Sequence, residues 1–242
     1  MSVVIVTGGS RGIGAAISRQ AADAGYTVVV NYVNDRASAE AVAKETGGLA
    51  VQANVVNEVD VEYLFDEAAK LGTVTGVVCN AAVTGNVIAR LDEQTLDTVK
   101  EVFDTNVFGL FLCNREAVRR MSTKYGHGGG AIVNISSTAA RRGSPNEWVH
   151  YAASKAAVET MTYGLALEVA DEGIRVNCVA PGLVETDMHA AAGAPDRTER
   201  LAPLIPLKRA GRPDEIANSV LWLLSDQASF VVGSVVTVSG GR

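Results

Sequence analysis

The stretch that decides the fold is Val3-Val4-Ile5-Val6-Thr7-Gly8-Gly9-Ser10-Arg11-Gly12-Ile13-Gly14. A short β-branched apolar run ends in a cluster of glycines, and an amphipathic pattern follows in which Ile13, Ile17 and Ala21 fall four residues apart. The run reads as a buried strand and the pattern as a helix, so the glycines mark a tight strand-to-helix turn. Glycines let a backbone turn sharply and approach a ligand closely, while a helix N-terminus presents free N–H groups and the positive end of its dipole. A loop of this kind between a first strand and a first helix is built for a dinucleotide pyrophosphate. The spacing Gly8, Gly12, Gly14 differs from GxGxxG, and there is no GxxxxGK[ST] phosphate loop.

Outward from this stretch the same alternation continues. Apolar runs at Thr27–Tyr32, Leu49–Ala53, Val74–Cys79, Ala131–Ser136, Arg175–Val179 and Val235–Val238 join Val3–Thr7 to make about seven strands, separated by longer Ala-rich helical segments. Their near-continuous hydrophobicity predicts a parallel sheet covered by helices on both faces, a doubly wound α/β fold of Rossmann type. No internal repeat or low-complexity linker interrupts it, so residues 1–242 read as one domain. The exception is 185–208, which carries Gly193, Pro195, Pro203 and Pro206 and lacks clear periodicity; it reads as a substrate loop or lid.

The 242 residues include 21 Lys and Arg against 27 Asp and Glu, a net charge of −6, with 48% apolar and 20% charged residues. That balance lets a sizeable core form and argues against a nucleic-acid binder, which needs clustered basic residues. Arg119-Arg120 and Arg141-Arg142 are too short for such a stripe and read as surface charge or local ion pairs. No stretch approaches the roughly 18 apolar residues of a membrane span, and the start lacks a signal-peptide pattern. The expected location is the cytoplasm, with no membrane partner. Cys79, Cys113 and Cys178 lie in apolar segments and read as free buried thiols; His127, His150 and His189 lack ligand spacing, so no metal site is expected.

Further along, Tyr151 and Lys155 are four apart in a strongly helical stretch and so share a face, about 5 to 6 Å apart at Cβ. A neighbouring ammonium favours a phenolate and is expected to lower a pKa that is ordinarily about 10, fitting the tyrosine for acid/base work near neutral pH. Ser137 closes the fifth strand at the edge where open α/β sheets bind ligands, and its hydroxyl is placed to stabilise charge on a substrate oxygen.

TGxxxGxG at Thr7–Gly14, Asn80-Ala81-Ala82 after the fourth strand, Asn106, Ser137, the YxxxK of Tyr151 and Lys155, and Pro181-Gly182 together resemble the classical short-chain dehydrogenase/reductase family over essentially the whole chain. The resemblance implies hydride transfer between a nicotinamide cofactor and a small carbonyl or alcohol substrate. Asn106, Ser137, Tyr151 and Lys155 would form the catalytic set, with Lys155 also holding the nicotinamide ribose and Asn106 positioning a water that links Lys155 to solvent. Cofactor contacts are implied at Gly8, Ser10, Arg11, Gly12, Ile13 and Gly14, at Asn31 and Tyr32, and at Asn54 and Val55. Asn80, Ala81, Ala82, Tyr151, Lys155, Pro181, Gly182, Val184 and Thr186 complete the set. Cys79 and Ala82 depart from the family's NNAG, and Asn54 stands where many members have Asp.

Tyr32 occupies the position of the acid in NAD-dependent members, and Arg11 resembles the basic residue that grips the 2′-phosphate, so NADP(H) is expected over NAD(H); Asp35 is the residue that speaks for NAD(H). Family members usually form tetramers through the Tyr151 helix, here rich in Ala152, Ala153, Ala156, Ala157 and Gly164, and the helix carrying Asn106. A homotetramer is expected. Trp148 and His150 flank the site, either touching substrate or packing the loop. The rival reading is a cofactor-binding sensor without turnover, whose mark would be a broken catalytic set.

Overall fold

Seven parallel strands run β1 (Ser2–Val6), β2 (Thr27–Tyr32), β3 (Leu49–Gln52), β4 (Thr73–Cys79), β5 (Gly130–Ile135), β6 (Ile174–Pro181) and β7 (Val235–Val238). The computed structural model describes residues 1–85 and 88–242. The strands lie in the order β3-β2-β1-β4-β5-β6-β7. Winding from β1 proceeds to β2 and β3 on one side and from β4 to β7 on the other. The direction therefore reverses between β1 and β4, and the ends of those two strands frame the crevice where such sheets bind ligands. The sheet and its order bear out the fold read from the sequence. The differences are at strand ends: β1 stops at Val6, β5 at Ile135, and β6 runs on to Pro181.

Helices cover both faces. On one side α1 (Gly12–Asp23), α2 (Arg36–Thr46) and α10 (Pro213–Leu224) bury Ile17, Val42, Ile216 and Leu223 against Val4, Val28 and Val133. On the other, α3 (Glu58–Leu71), α5 (Leu110–Met121) and α7 (Val149–Val169) bury Phe65, Leu64, Met121 and Val158 against Ile5, Val77 and Ile132. With both faces covered, alternation is lost: Val3 to Val6 are all fully buried. Inside the second layer Asn114 donates to Asn134 (3.0 Å), which donates to Thr162 (3.0 Å), so α5, β5 and α7 are pinned together by a satisfied buried network.

Beside α7, α4 (Leu96–Phe103) passes into a π-helical turn over Asp104–Gly109 before α5 begins. The segment read as an irregular loop at 185–208 holds two short helices, α8 (Met188–Ala191) and α9 (Arg197–Leu201), over a small apolar cluster of Leu183, Leu201, Ile205 and Ala210. The remaining short helix, α6 (Ala139–Arg142), leads into the loop before α7. Arg119 and Arg120 pair with Glu116 and Arg120 also with Asp66, while Arg141 pairs with Glu159, so these three arginines are engaged in local ion pairing. Cys79, Cys113 and Cys178 are free and buried.

Candidate active site

The glycine turn is held by side chains from three strands. Thr7 Oγ1 donates to the Val78 carbonyl (3.3 Å) and accepts from the N–H groups of Asn80 (2.9 Å) and Ala81 (3.1 Å). Asn80 returns two hydrogen bonds to the carbonyls of Thr7 and Gly8, both 3.0 Å. Asn31, at the end of β2, accepts from the Gly8 N–H (3.2 Å) and donates to the Ala53 carbonyl (2.8 Å). Asn31 is buried, so it shapes the loop rather than lining its open side. Ser18 Oγ closes the turn from the helix by donating to the Gly14 carbonyl (2.9 Å).

The loop leaves an anion cradle at the N-terminus of α1. Its cap residue, Arg11, makes no side-chain cap, and the first turn holds no acid, so the leading N–H groups and the positive end of the dipole face outward. At Gly14 a Cβ would come within 2.1 Å of the Gly8 carbonyl oxygen, and at Gly12 (φ +51°) it would meet the Thr186 methyl at 3.2 Å. These are the places where only glycine lets the loop, the helix and the segment after β6 come together, and the cradle they form fits a dinucleotide pyrophosphate.

From this cradle the other expected contacts spread along the crevice. Tyr32 is buried at the end of β2, and past it Asp35 caps α2, its two carboxylate oxygens accepting from the Ser38 N–H (3.0 Å) and hydroxyl (2.8 Å). Those bonds hold the Asp35 carboxyl below the usual range, with the Arg11 guanidinium adding to the effect from 3.9 Å. Val55 is buried and Asn54 exposed beside a cavity of 370 Å³ lined also by Lys100, Glu101 and Thr105. Ala81 and Ala82 follow β4. Pro181 ends β6, its carbonyl accepting from Thr138 (2.9 Å), and Val184 bridges to Gly211. Ser10 and Ile13 are partly exposed in the loop.

At the other end of the crevice Tyr151, Lys155 and Ser137 lie together, and Asn106 is bonded to Ser154, the neighbour of Lys155. The two adjacent serines separate: Ser136 is buried and donates to the Lys155 carbonyl (3.1 Å), whereas Ser137, two residues beyond the end of β5, acts on Tyr151. Lys155 is buried, donates to the Ile135 carbonyl (2.8 Å) and lies 5.7 Å from the Tyr151 ring centre.

The acid/base balance differs from the sequence expectation. Burial pushes the Tyr151 phenol up to about 12, against lowering influences from the Ser137 hydroxyl and the Arg197 guanidinium. Burial likewise brings Lys155 down to about 8. The sequence places the pair on one face, but the effect of water exclusion cannot be read from a spacing of four.

The Asn106 side chain is engaged within the protein: Oδ1 accepts from the Val83 N–H (2.9 Å), and Nδ2 donates to the Val83 carbonyl (2.9 Å) and to Ser154 Oγ (3.0 Å). It therefore ties the loop after β4 to α7. His150 is likewise structural, bonded through Nε2 to the Thr84 carbonyl (2.9 Å).

Two residues that sequence reasoning passed over complete the surroundings. Arg197, from α9, reaches across to Glu147 in a two-pronged ion pair (2.5 and 2.8 Å) and stacks 4.5 Å from the Trp148 ring. Trp148 is buried and sets its edge against Tyr151, ring centres 6.5 Å apart. Trp148 thus packs the loop and also forms part of the wall beside Tyr151. The residues before it carry strain: Ser144 (φ +44°) and Asn146 (φ +61°) are left-handed without being glycine.

A seven-stranded doubly wound sheet, a glycine-lined anion cradle at its switch point and a half-buried tyrosine beside a buried lysine and a serine define a class of nicotinamide-dinucleotide oxidoreductases. The chain belongs to the short-chain dehydrogenase/reductase family, whose members bind a nicotinamide cofactor and act on carbonyl and hydroxyl groups. A family model described as enoyl-(acyl carrier protein) reductase matches residues 8–242. The chain is 45% identical over 247 residues to the uncharacterized oxidoreductase YgfF of Escherichia coli, covering all of both proteins. It is 39% identical to the 3-oxoacyl-[acyl-carrier-protein] reductase FabG of Staphylococcus aureus, covering 98% of this chain and 96% of that one. Glucose 1-dehydrogenase 2 of Bacillus subtilis is 37% identical, over 98% and 93%. Among the described residues, no helix is long and apolar enough to cross a membrane.

Proposed function

We propose that this protein is an NADP(H)-dependent reductase of a small carbonyl substrate, or in reverse a dehydrogenase of the corresponding secondary alcohol, with Tyr151 as the proton donor and acceptor. The observation that carries the reading is the convergence of Ser137, Tyr151 and Lys155 at the end of β5, across the crevice from the anion cradle.

When bound, the reduced nicotinamide supplies the hydride. The substrate carbonyl oxygen accepts hydrogen bonds from the hydroxyls of Ser137 and Tyr151, which stabilise the charge that develops on it. Tyr151 gives its phenolic proton to that oxygen, and the product is the alcohol. The remaining phenolate sits near the Lys155 ammonium, which below about pH 8 carries its proton and offsets the cost of leaving a negative charge in a buried site. With the Asn106 side chain occupied, we assign the water that returns a proton towards Lys155 to its main-chain carbonyl. It lies in the π-helical turn, where the regular hydrogen-bond ladder is broken.

The cofactor preference rests on three side chains. Both oxygens of Asp35 are committed to capping α2, and Tyr32 fills the place of the ribose-binding acid. Arg11 is 64% exposed and, among the described residues, held only by a 3.9 Å ion pair, so its planar fork is available to a 2′-phosphate. Replacing Arg11 by Ala is expected to weaken NADPH binding by about tenfold or more, the scale of one charge-assisted contact, and NADH binding by less than about twofold. Titration by cofactor fluorescence checks this, and equal losses would overturn the preference.

The homotetramer is also retained as a proposal. Ala152 is buried within the chain, but Ala153 and Gly164 are exposed on α7, and Tyr163 and Leu167 are more than half exposed on that helix. Phe108 and Phe111, beside Asn106, are exposed to a similar extent. Large apolar side chains gathered on two neighbouring helices call for a covering partner, and a second copy offers the same surface. Light scattering is expected to give about 100 kDa, four copies of the 25.2 kDa chain; a value near that of one chain would refute it.

A further inference from the structure

We propose that the substrate carries a carboxylate, recognised beside Tyr151 by the Arg197–Trp148 stack and by the basic rim formed by Arg142 and Arg242. The inference rests on the reading of Tyr151 as the group that acts on the substrate carbonyl, and adds to it the class of compound that carries that carbonyl.

The argument begins with unpaired donors. Glu147 takes two N–H groups of Arg197 but leaves its Nε without a partner, and the Trp148 indole nitrogen is also buried and unpartnered. Both are donors only, so an acceptor must satisfy them. The guanidinium lies 4.5 Å from the indole ring, which in turn sets its edge against Tyr151, so the two orphan donors sit on side chains stacked against the phenol.

The charge around this wall has the sign that selects an anion. Arg142 and Arg197 are both close enough to Arg242 to disfavour its charge, while Glu147 is the acid that favours it. Three guanidiniums against one carboxylate leave an excess of positive charge. In a protein of net charge −6 such a cluster needs a reason. The anion cradle for the pyrophosphate lies at the other end of the crevice, so the cofactor does not supply it. The bidentate pair with Glu147 fixes the guanidinium plane, and the strained turn at Ser144 and Asn146 holds Glu147 and Trp148 in place.

The test uses matched acids and esters: 2-oxobutanoate and 4-oxopentanoate against their methyl esters. Trp222→Phe leaves Trp148 as the sole tryptophan, so its emission reports binding to the NADP⁺-loaded protein without any turnover. The acids are expected to change that emission with dissociation constants at least about tenfold lower than the esters. In Arg142→Gln/Arg242→Gln, whose substituted side chains lie at the rim, the preference is expected to fall severalfold while ester binding stays as it was. Equal binding of acid and ester, tighter binding of the ester, or no response to either acid would overturn the proposal. Failure of the underlying reading looks different: the acids bind and move Trp148 emission, yet no NADPH is consumed with any carbonyl compound.

Discussion

Tyr151→Phe is expected to lower kcat/KM for carbonyl reduction by about 10²- to 10⁴-fold, the range spanned by a positioned proton donor, while leaving cofactor affinity within about twofold. The change deletes one oxygen and keeps the ring, so the edge-on contact with Trp148 and the packing against Lys155 persist. What is lost is the proton and one of two hydrogen bonds to the substrate oxygen. The other, from Ser137, remains, and this is why a residual rate is expected. Steady-state NADPH oxidation over a panel of ketones, keto acids and thioesters checks the rate, and cofactor titration checks the fold. If the variant turns over at the parent rate, Tyr151 is not the proton donor. If neither protein turns over any compound although both bind cofactor, the sensor reading gains, despite an unbroken set of Asn106, Ser137, Tyr151 and Lys155.

The pKa of Tyr151 bears on how that rate varies with pH. A phenol held near 12 stays protonated throughout the physiological range, which suits it to donate in the reducing direction. In the oxidising direction it must first lose that proton, so alcohol oxidation is favoured by alkaline conditions. The sequence alone suggested the opposite shift, because a lysine four residues away on a helix is visible in the pattern and the exclusion of water is not.

The same contrast runs through the rest of the molecule. The sheet was legible because burial on both faces leaves unbroken apolar runs, and the cradle because glycine is required where Gly14 passes the Gly8 carbonyl at a distance no Cβ tolerates. Ser18 and Thr7, which hold that turn, look in sequence like ordinary small polar residues; only the Thr-Gly adjacency hinted at the second. The helices α8 and α9 span four and five residues, too short for a period of 3.6 to register. Glu147 and Arg197 are 50 residues apart and meet only because the segment after β6 folds back over the loop before α7. Nothing local marks such a pair. The partners of the Asn106 side chain were hidden for a related reason: Val83 and Ser154 come from β4's following loop and from α7, and a motif does not reveal which atoms are engaged.

Lys155→Met is expected to abolish useful turnover and, at the same time, to stabilise the folded protein at neutral pH by about 1–3 kcal/mol. Lys155 is 2% exposed, and no carboxylate is paired with it among the described residues; its ammonium donates to a main-chain carbonyl. Burial lowers its pKa from 10.5 to about 8, which means the folded state disfavours the charge that the unfolded state accommodates freely. Below about pH 8 the lysine is protonated in both states and the full penalty applies. Between about 8 and 10.5 the folded protein has released the proton while the unfolded chain retains it, so the unfolded state binds more protons and wild-type stability rises with pH. Above 10.5 both are neutral and the penalty is gone. Methionine fills a similar volume without charge, so its advantage should be full at pH 7, shrink through the window from 8 to 10.5, and approach the loss of the 2.8 Å hydrogen bond to Ile135 at the top. Urea unfolding of both proteins at pH 7.0, 8.5 and 10.0 measures the difference, in which groups common to both cancel. A variant destabilised equally at every pH would show that the ammonium is held by its hydrogen bond at no net cost. A gain in stability that vanishes on alkalinisation, together with lost turnover, would mean that the fold bears a buried positive charge for the sake of the phenolate beside it.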